Sequence, residues 1–145
     1  MYQLHEHGLN QLIQRQKEAL AIRDSLQRLN KLGAIYVDFA LENPEYYNLM
    51  FIMQAPMKNL EREWPCGFES CNILRQTVEE CISAGKLKAR NVDAATIAMW
   101  STVHGLASLV IRGRLRMVPE DRLSFVVKDV MKFMEELKAP NQSGG

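Results

Sequence analysis

Apolar residues recur at helical spacing along almost the whole chain, and no stretch alternates in the way a half-buried strand requires. Leu9, Leu12, Ile13 and Leu20 draw a thin apolar stripe through a segment otherwise rich in Gln, Lys, Glu and Arg, which predicts a first helix from about Tyr2 to Ile22. No capping residue opens it, so the chain is expected to begin inside or at the edge of an element. A second helix follows from about Asp24, with Leu26, Leu29, Leu32, Tyr36, Phe39 and Ala40 on its apolar side. Asn43-Pro44 ends it, because the residue before a proline is biased away from helix. Pro44 then opens a short helix at its first position, with Glu45 complementing the dipole. Residues Tyr46 to Met57 are apolar and soft, and Pro56 and Pro65 bound a loop that holds Trp64. A long helix is expected from about Phe68 to Ala84, with Phe68, Cys71, Leu74, Val78, Cys81 and Ile82 on one face and Gly85 in the position after its end. Asp93 is the expected cap of the next helix, Ala94 to about Arg112. Pro119, Glu120 and Asp121 open the last, which runs to about Lys138.

The penultimate segment is the most informative part of the chain. On a helical wheel Ile97, Trp100, His104, Ala107 and Ile111 form one stripe, and Met99, Val103, Leu106 and Val110 a second. Ala94, Ala98, Ser101, Gly105 and Ser108 form a third, made only of small residues. Two apolar sides and one small-residue side imply enclosure on nearly all sides. A row of small residues lets another backbone come close, which offsets the helix-weakening cost of Gly105, about 1 kcal/mol. The last helix is also apolar over more than a narrow seam, through Leu123, Val126, Val127, Val130, Phe133, Met134 and Leu137. Two neighbouring helices that each need more than one apolar partner suggest a bundle completed by a second copy. The interface expected from this is Ala98, Ser101, Gly105, Ser108, Val126, Val127, Val130, Phe133, Met134 and Leu137. The plainer alternative is that other helices of the same chain cover these faces.

Composition narrows the classes without naming one. The 145 residues suit one domain, with 47% apolar and 24% charged residues and a net charge of +1. So small a charge supplies no field to draw the protein to nucleic acid or an anionic membrane. Three cysteines, Cys66, Cys71 and Cys81, form no paired framework and fit a reducing, cytoplasmic setting. The N-terminus has no continuous apolar run of a signal peptide. Ala94–Ile111 carries no Asp, Glu, Lys or Arg and approaches the lower limit of a spanning helix, about 18 residues. It is read as a buried helix of a soluble protein with no membrane partner.

"ALENPEYYNLMF", then "TVEECISAGKLKARNVDAATIAMWSTVHGLASLVI", then an amphipathic closing helix, resembles the C-terminal regulatory domain of TetR-like transcriptional regulators. The nearest subgroup carries Trp-x-x-x-His-Gly, here Trp100, His104 and Gly105, and the resemblance runs over essentially the whole chain. It implies an all-α domain of five to six helices that binds a small effector, its last two helices forming a four-helix bundle across a two-fold axis. Such regulators begin with a three-helix DNA-binding head that this sequence does not display. The effector-binding and dimerisation domain is therefore expected over 1–139, with a disordered tail over 140–145 and DNA contact only through the missing head. The implied mechanism is a population shift, in which an effector moves the connecting helix, about Tyr2–Ile22, and changes the spacing of two heads.

An effector pocket is expected among the second to fifth helices, lined by Tyr36, Phe39, Tyr47, Met50, Phe51, Met53, Met57, Cys71, Leu74, Val78, Trp100, Val103 and His104. Adaptable thioethers beside aromatic rings suit a hydrophobic, neutral or weakly polar ligand, and no Arg or Lys on these faces would hold a phosphate. Each of these residues is equally compatible with ordinary core packing. His104 reads either as a core histidine on a neighbouring hydroxyl or carbonyl, or as a polar group pointing at ligand beside Trp100. A small helical enzyme or carrier using His104 as acid or base is the alternative function, and a purely structural dimerisation module a third. "SAGK", Ser83 to Lys86, is read as a helix stop, and Arg112, Arg114 and Arg116 as a solvated loop. The cysteines lack the spacing of a metal site, so neither a metal nor a cofactor is expected.

Overall fold

The computed structural model describes residues 2–47 and 65–138, and all of them that adopt regular structure are helical. In chain order the helices are α1 (Tyr2–Ala19), α2 (Ser25–Glu42), α3 (Pro44–Tyr47), α4 (Pro65–Ser83), α5 (Val92–Ile111) and α6 (Glu120–Lys138). The all-α expectation holds. Local chemistry explains most of the boundaries. Asp24 caps α2 by accepting from the Gln27 amide at 2.9 Å. Asn43 closes α2 on the Phe39 carbonyl and starts α3, whose Tyr47 amide bonds the Asn43 carbonyl at 2.9 Å. Gly85 takes φ +73 after α4, and the Lys86 amide reaches back to the Cys81 carbonyl at 2.9 Å, a left-handed helix stop only glycine enters cheaply.

Three boundaries depart from expectation. α1 ends at Ala19 rather than Ile22, because the chain tightens there into turns of i to i+3 bonds from Leu20, Ala21 and Ile22. α4 starts at Pro65, three residues earlier than Phe68, with proline in the first turn where its missing N–H costs nothing. The cap of α5 is Asn91, which accepts from Ala94 at 2.9 Å; Asp93 lies inside the first turn and pairs instead with Arg75 of α4 at 2.7 Å.

α2 is the central element, packed against α1, α4 and α5. One core cluster joins Leu9, Leu12 and Ile13 of α1 with Leu32, Tyr36, Phe39 and Ala40 of α2, Tyr47 of α3, Ile73 of α4 and Ala107 of α5. A second gathers Leu29, Val78 and Cys81, with Leu74 touching both. The thin stripe of α1 is thus a seated one. Polar ties hold it further: Ser70 donates to buried Gln16 at 2.9 Å, Lys17 meets Glu69, and Arg15 lies over the Phe39 ring while pairing with Glu42. α6 rests on the body more lightly, through buried Val127 and through Met131, whose Cε would lie 3.4 Å from a Cβ on Gly33.

The expected full enclosure of α5 does not occur within the chain. Only 22% of its apolar stretch is buried, although the helix is long and apolar enough by length and composition to cross a membrane. Thr96 and Ala107 are buried and Val103 packs on the core, whereas Ile97 is 59% and Trp100 42% exposed. The reason is geometric. α2 and α4 cover one side of α5, and on the opposite side Ala98 and Ser101 are exposed and Gly105 half-buried among the described residues. An added Cβ at Gly105 would meet nothing within 4 Å.

Candidate functional site

Four polar-tipped rings meet where α2, α3 and α5 converge. The Tyr36 hydroxyl lies 3.0 Å from Nδ1 of His104, and the indole N–H of Trp100 donates to the Tyr36 oxygen at 3.4 Å. Tyr47 donates its hydroxyl to the His104 carbonyl at 2.8 Å, adding a second bond to a helix carbonyl that has two lone pairs. The rings pack edge to face or tilted: Tyr36 on Tyr47 at 6.2 Å, Tyr47 on His104 at 5.4 Å, Trp100 on His104 at 6.1 Å. Helical spacing does the positioning. Trp100 and His104 are one turn apart on α5, and Asn43-Pro44 folds the end of α2 so that Tyr47 returns beneath Tyr36.

Burial dominates the electrostatics. It pushes the Tyr36 hydroxyl far up, with the neighbouring Tyr47 adding to the effect, and pushes Tyr47 up to about 12. Burial also holds His104 below the ordinary histidine value. The cluster is therefore neutral near pH 7: two phenols and an uncharged imidazole sharing hydrogen bonds. Because the unfolded chain protonates His104 more readily than the folded one, this residue's contribution to stability is present above about pH 6.5 and is lost as pH falls toward its folded value. Denaturation measured at about pH 7.5 and about pH 5.5 should show the loss, and His104→Gln should reduce it. An equal acid loss in the variant would assign the effect elsewhere.

The expected lining residues separate into groups. Tyr36, Phe39 and Tyr47 are buried together with Leu74 and Val103 packed beside them, and His104 and Trp100 border that group. Val78 belongs to the second cluster, and Cys71 is exposed, where Ile73 and Thr77 turn inward instead. Met50, Phe51, Met53 and Met57 lie outside the described residues, as do Trp64 and the tail. Of the expected interface residues, Ala98, Ser101, Phe133 and Leu137 are exposed, Gly105, Ser108, Val126, Val130 and Met134 half-buried, and Val127 is buried in its own chain. Pattern reading missed the buried polar residues Gln16, Thr77 and Thr96, since polar identity reads as solvent-facing until a neighbour arrives. Among the described residues no group of three His, Cys, Asp or Glu side chains is placed to hold a metal.

An all-α domain, its penultimate helix seated on one side and more exposed on the other among the described residues, is the class that fold and site define. The description "Tetracyclin repressor-like, C-terminal domain" matches residues 29–129, and the chain belongs to this family. A protein of unknown function from Rhodococcus sp. RHA1 has a similar fold, with a TM-score of 0.78 at 24% identity over 94% of this chain and 68% of that one. No curated protein shows significant similarity to the chain.

Proposed function

We propose that the chain is the ligand-sensing and homodimerisation domain of a cytoplasmic TetR-like transcriptional regulator, in the subgroup marked by Trp100, His104 and Gly105. The effector is a small, hydrophobic, neutral or weakly polar molecule held among α2 to α5. Its binding controls DNA contact made through a helix-turn-helix head joined ahead of α1. The observation that carries this reading is the two-sidedness of α5. One side brings Trp100 and His104 onto Tyr36 and Tyr47, and the other offers a small-residue face bordered by exposed Ile97 and Leu109. A single rigid helix joins ligand site to subunit contact, which is what a sensor needs for a bound molecule to bias one arrangement of two subunits over another. The outer apolar side and the long uncharged stretch of α5 fit a covered subunit contact.

Titration with Nile red, a neutral apolar dye, tests the ligand site. Saturable binding is expected, weakened about tenfold or more by Trp100→Ala, a loss of about 1.4 kcal/mol or more. Absence of saturable binding would contradict an apolar effector site.

One observation favours the second reading, a small helical enzyme or carrier: a polar group, the Tyr36 hydroxyl, does lie within reach of His104. That group is a phenol held protonated by burial rather than a carboxylate that would orient and charge the imidazole. The sensor reading uses the same contact to fix the ring, with no reaction required.

A further inference from the structure

The corner between α1 and α2 is fastened by one side chain. Arg28, at the end of the first turn of α2, turns back and donates from Nε to the Ile22 carbonyl at 3.0 Å and from Nη2 to the Arg23 carbonyl at 3.3 Å. Its Nη1 pairs with the carboxylate of Glu80 near the end of α4. The Arg28 side chain is only 11% exposed, unlike the ion pairs on the outer surface. Beside it, Asp24 both caps α2 and receives Lys86, from the turn after α4, at 2.6 Å. Three acceptors in three directions match the fixed fork of a guanidinium; an ammonium, a point charge, would not reach all three.

We propose that Arg28 is a clasp that couples the end of α4 to the exit of α1, so that a displacement of either is felt by the other. Two carbonyls of the corner and one carboxylate of α4 share a single planar group. While the pair with Glu80 holds, a shift of Glu80 turns the guanidinium that holds Ile22 and Arg23. Where α1 is the helix that leads to a DNA-binding head, as in the function proposed above, the clasp is the joint through which a change in the body would reach it. The geometry itself does not depend on that reading.

Amide hydrogen exchange of the intact chain tests the coupling without effector or DNA, so its outcome is independent of whether a ligand is found. Glu80→Gln removes the charge on α4 while leaving the corner residues untouched, and Glu80 is exposed enough for the fold to survive. The expected result is faster exchange, about tenfold or more, at Leu20, Ala21 and Ile22 across the chain as well as at Gly85 to Leu87, with the rest of α2 and α5 unchanged. Arg28→Gln should enlarge the effect in the same two places, and Arg28→Lys should fail to restore it. The proposal is overturned if Glu80→Gln leaves the α1–α2 corner at its wild-type rate, or if exchange rises evenly over all helices, as a general loss of stability would produce.

Discussion

Gly105→Leu is expected to give a folded chain that no longer pairs. Among the described residues a Cβ there meets nothing within 4 Å, so the start of a larger side chain has room at this half-buried position. Helix propensity even favours the change, by roughly 1 kcal/mol relative to glycine. The cost falls on association. Gly105 lies in the middle of the small-residue face formed with Ala98 and Ser101, and a face of this kind serves close approach of another backbone. Overpacking such a contact costs about 1–3 kcal/mol, and a two-fold axis counts it twice, so the dissociation constant should rise about thirtyfold or more. Sedimentation velocity on the variant, with circular dichroism to verify its helices, measures both halves of the expectation. An unchanged association constant would remove the small-residue face from the interface.

Leu12→Ala is expected to give the largest loss of stability, about 2–5 kcal/mol, because it both removes buried methyl groups and leaves a cavity that rigid neighbours only partly close. Leu12 is 0% exposed and packs in the same cluster as Phe39, Tyr47 and Ala107. At about 2–4 °C per kcal/mol for a chain of this size, the melting temperature should fall by roughly 4–20 °C at fixed protein concentration. Leu20, eight residues along the same apparent stripe, is 47% exposed, and its change to alanine should stay within about 0.5 kcal/mol. Thermal denaturation of the two variants side by side makes the comparison. Equal small effects would mean that α1 lies loosely against the body rather than in its core.

The contrast between Leu12 and Leu20 shows how far pattern reading goes. Apolar spacing identified the helices, and local chemistry placed several ends correctly: Asn43-Pro44, Gly85 and the acidic start of α6 each act through a backbone restriction, hydrogen bond or dipole that sequence alone reveals, whereas Asp24 was only an approximate start and its capping bond emerged from the structure. Asn91 and Asp93 are both good caps, and only the register of the preceding turn selects Asn91. Trp100, Val103 and His104 were expected to turn inward; what was not legible is how much of α5 its own chain leaves exposed, because the helix is apolar or small all round. Which neighbours exist, not its own residues, decides that Thr96 and Ala107 are buried while Ile97 is not. Tyr36, Tyr47, Trp100 and His104 were four of the thirteen expected lining residues, and only Trp100 and His104 were paired by spacing. The hydrogen bonds among the four were not legible, since these join residues as far as 68 positions apart. Arg28 gave no signal at all: in the pattern it is one more charged residue on a polar face, and its role appears only once Glu80 and the turn at Ile22 fold around it.

In the proposed function the two sides of α5 join ligand site to subunit contact, and a second chain covers the outer one. Light scattering coupled to gel filtration weighs the particle in solution. The expected mass is twice the 16.6 kDa of one chain, held over a wide range of protein concentration. A mass of 16.6 kDa at every concentration would contradict it.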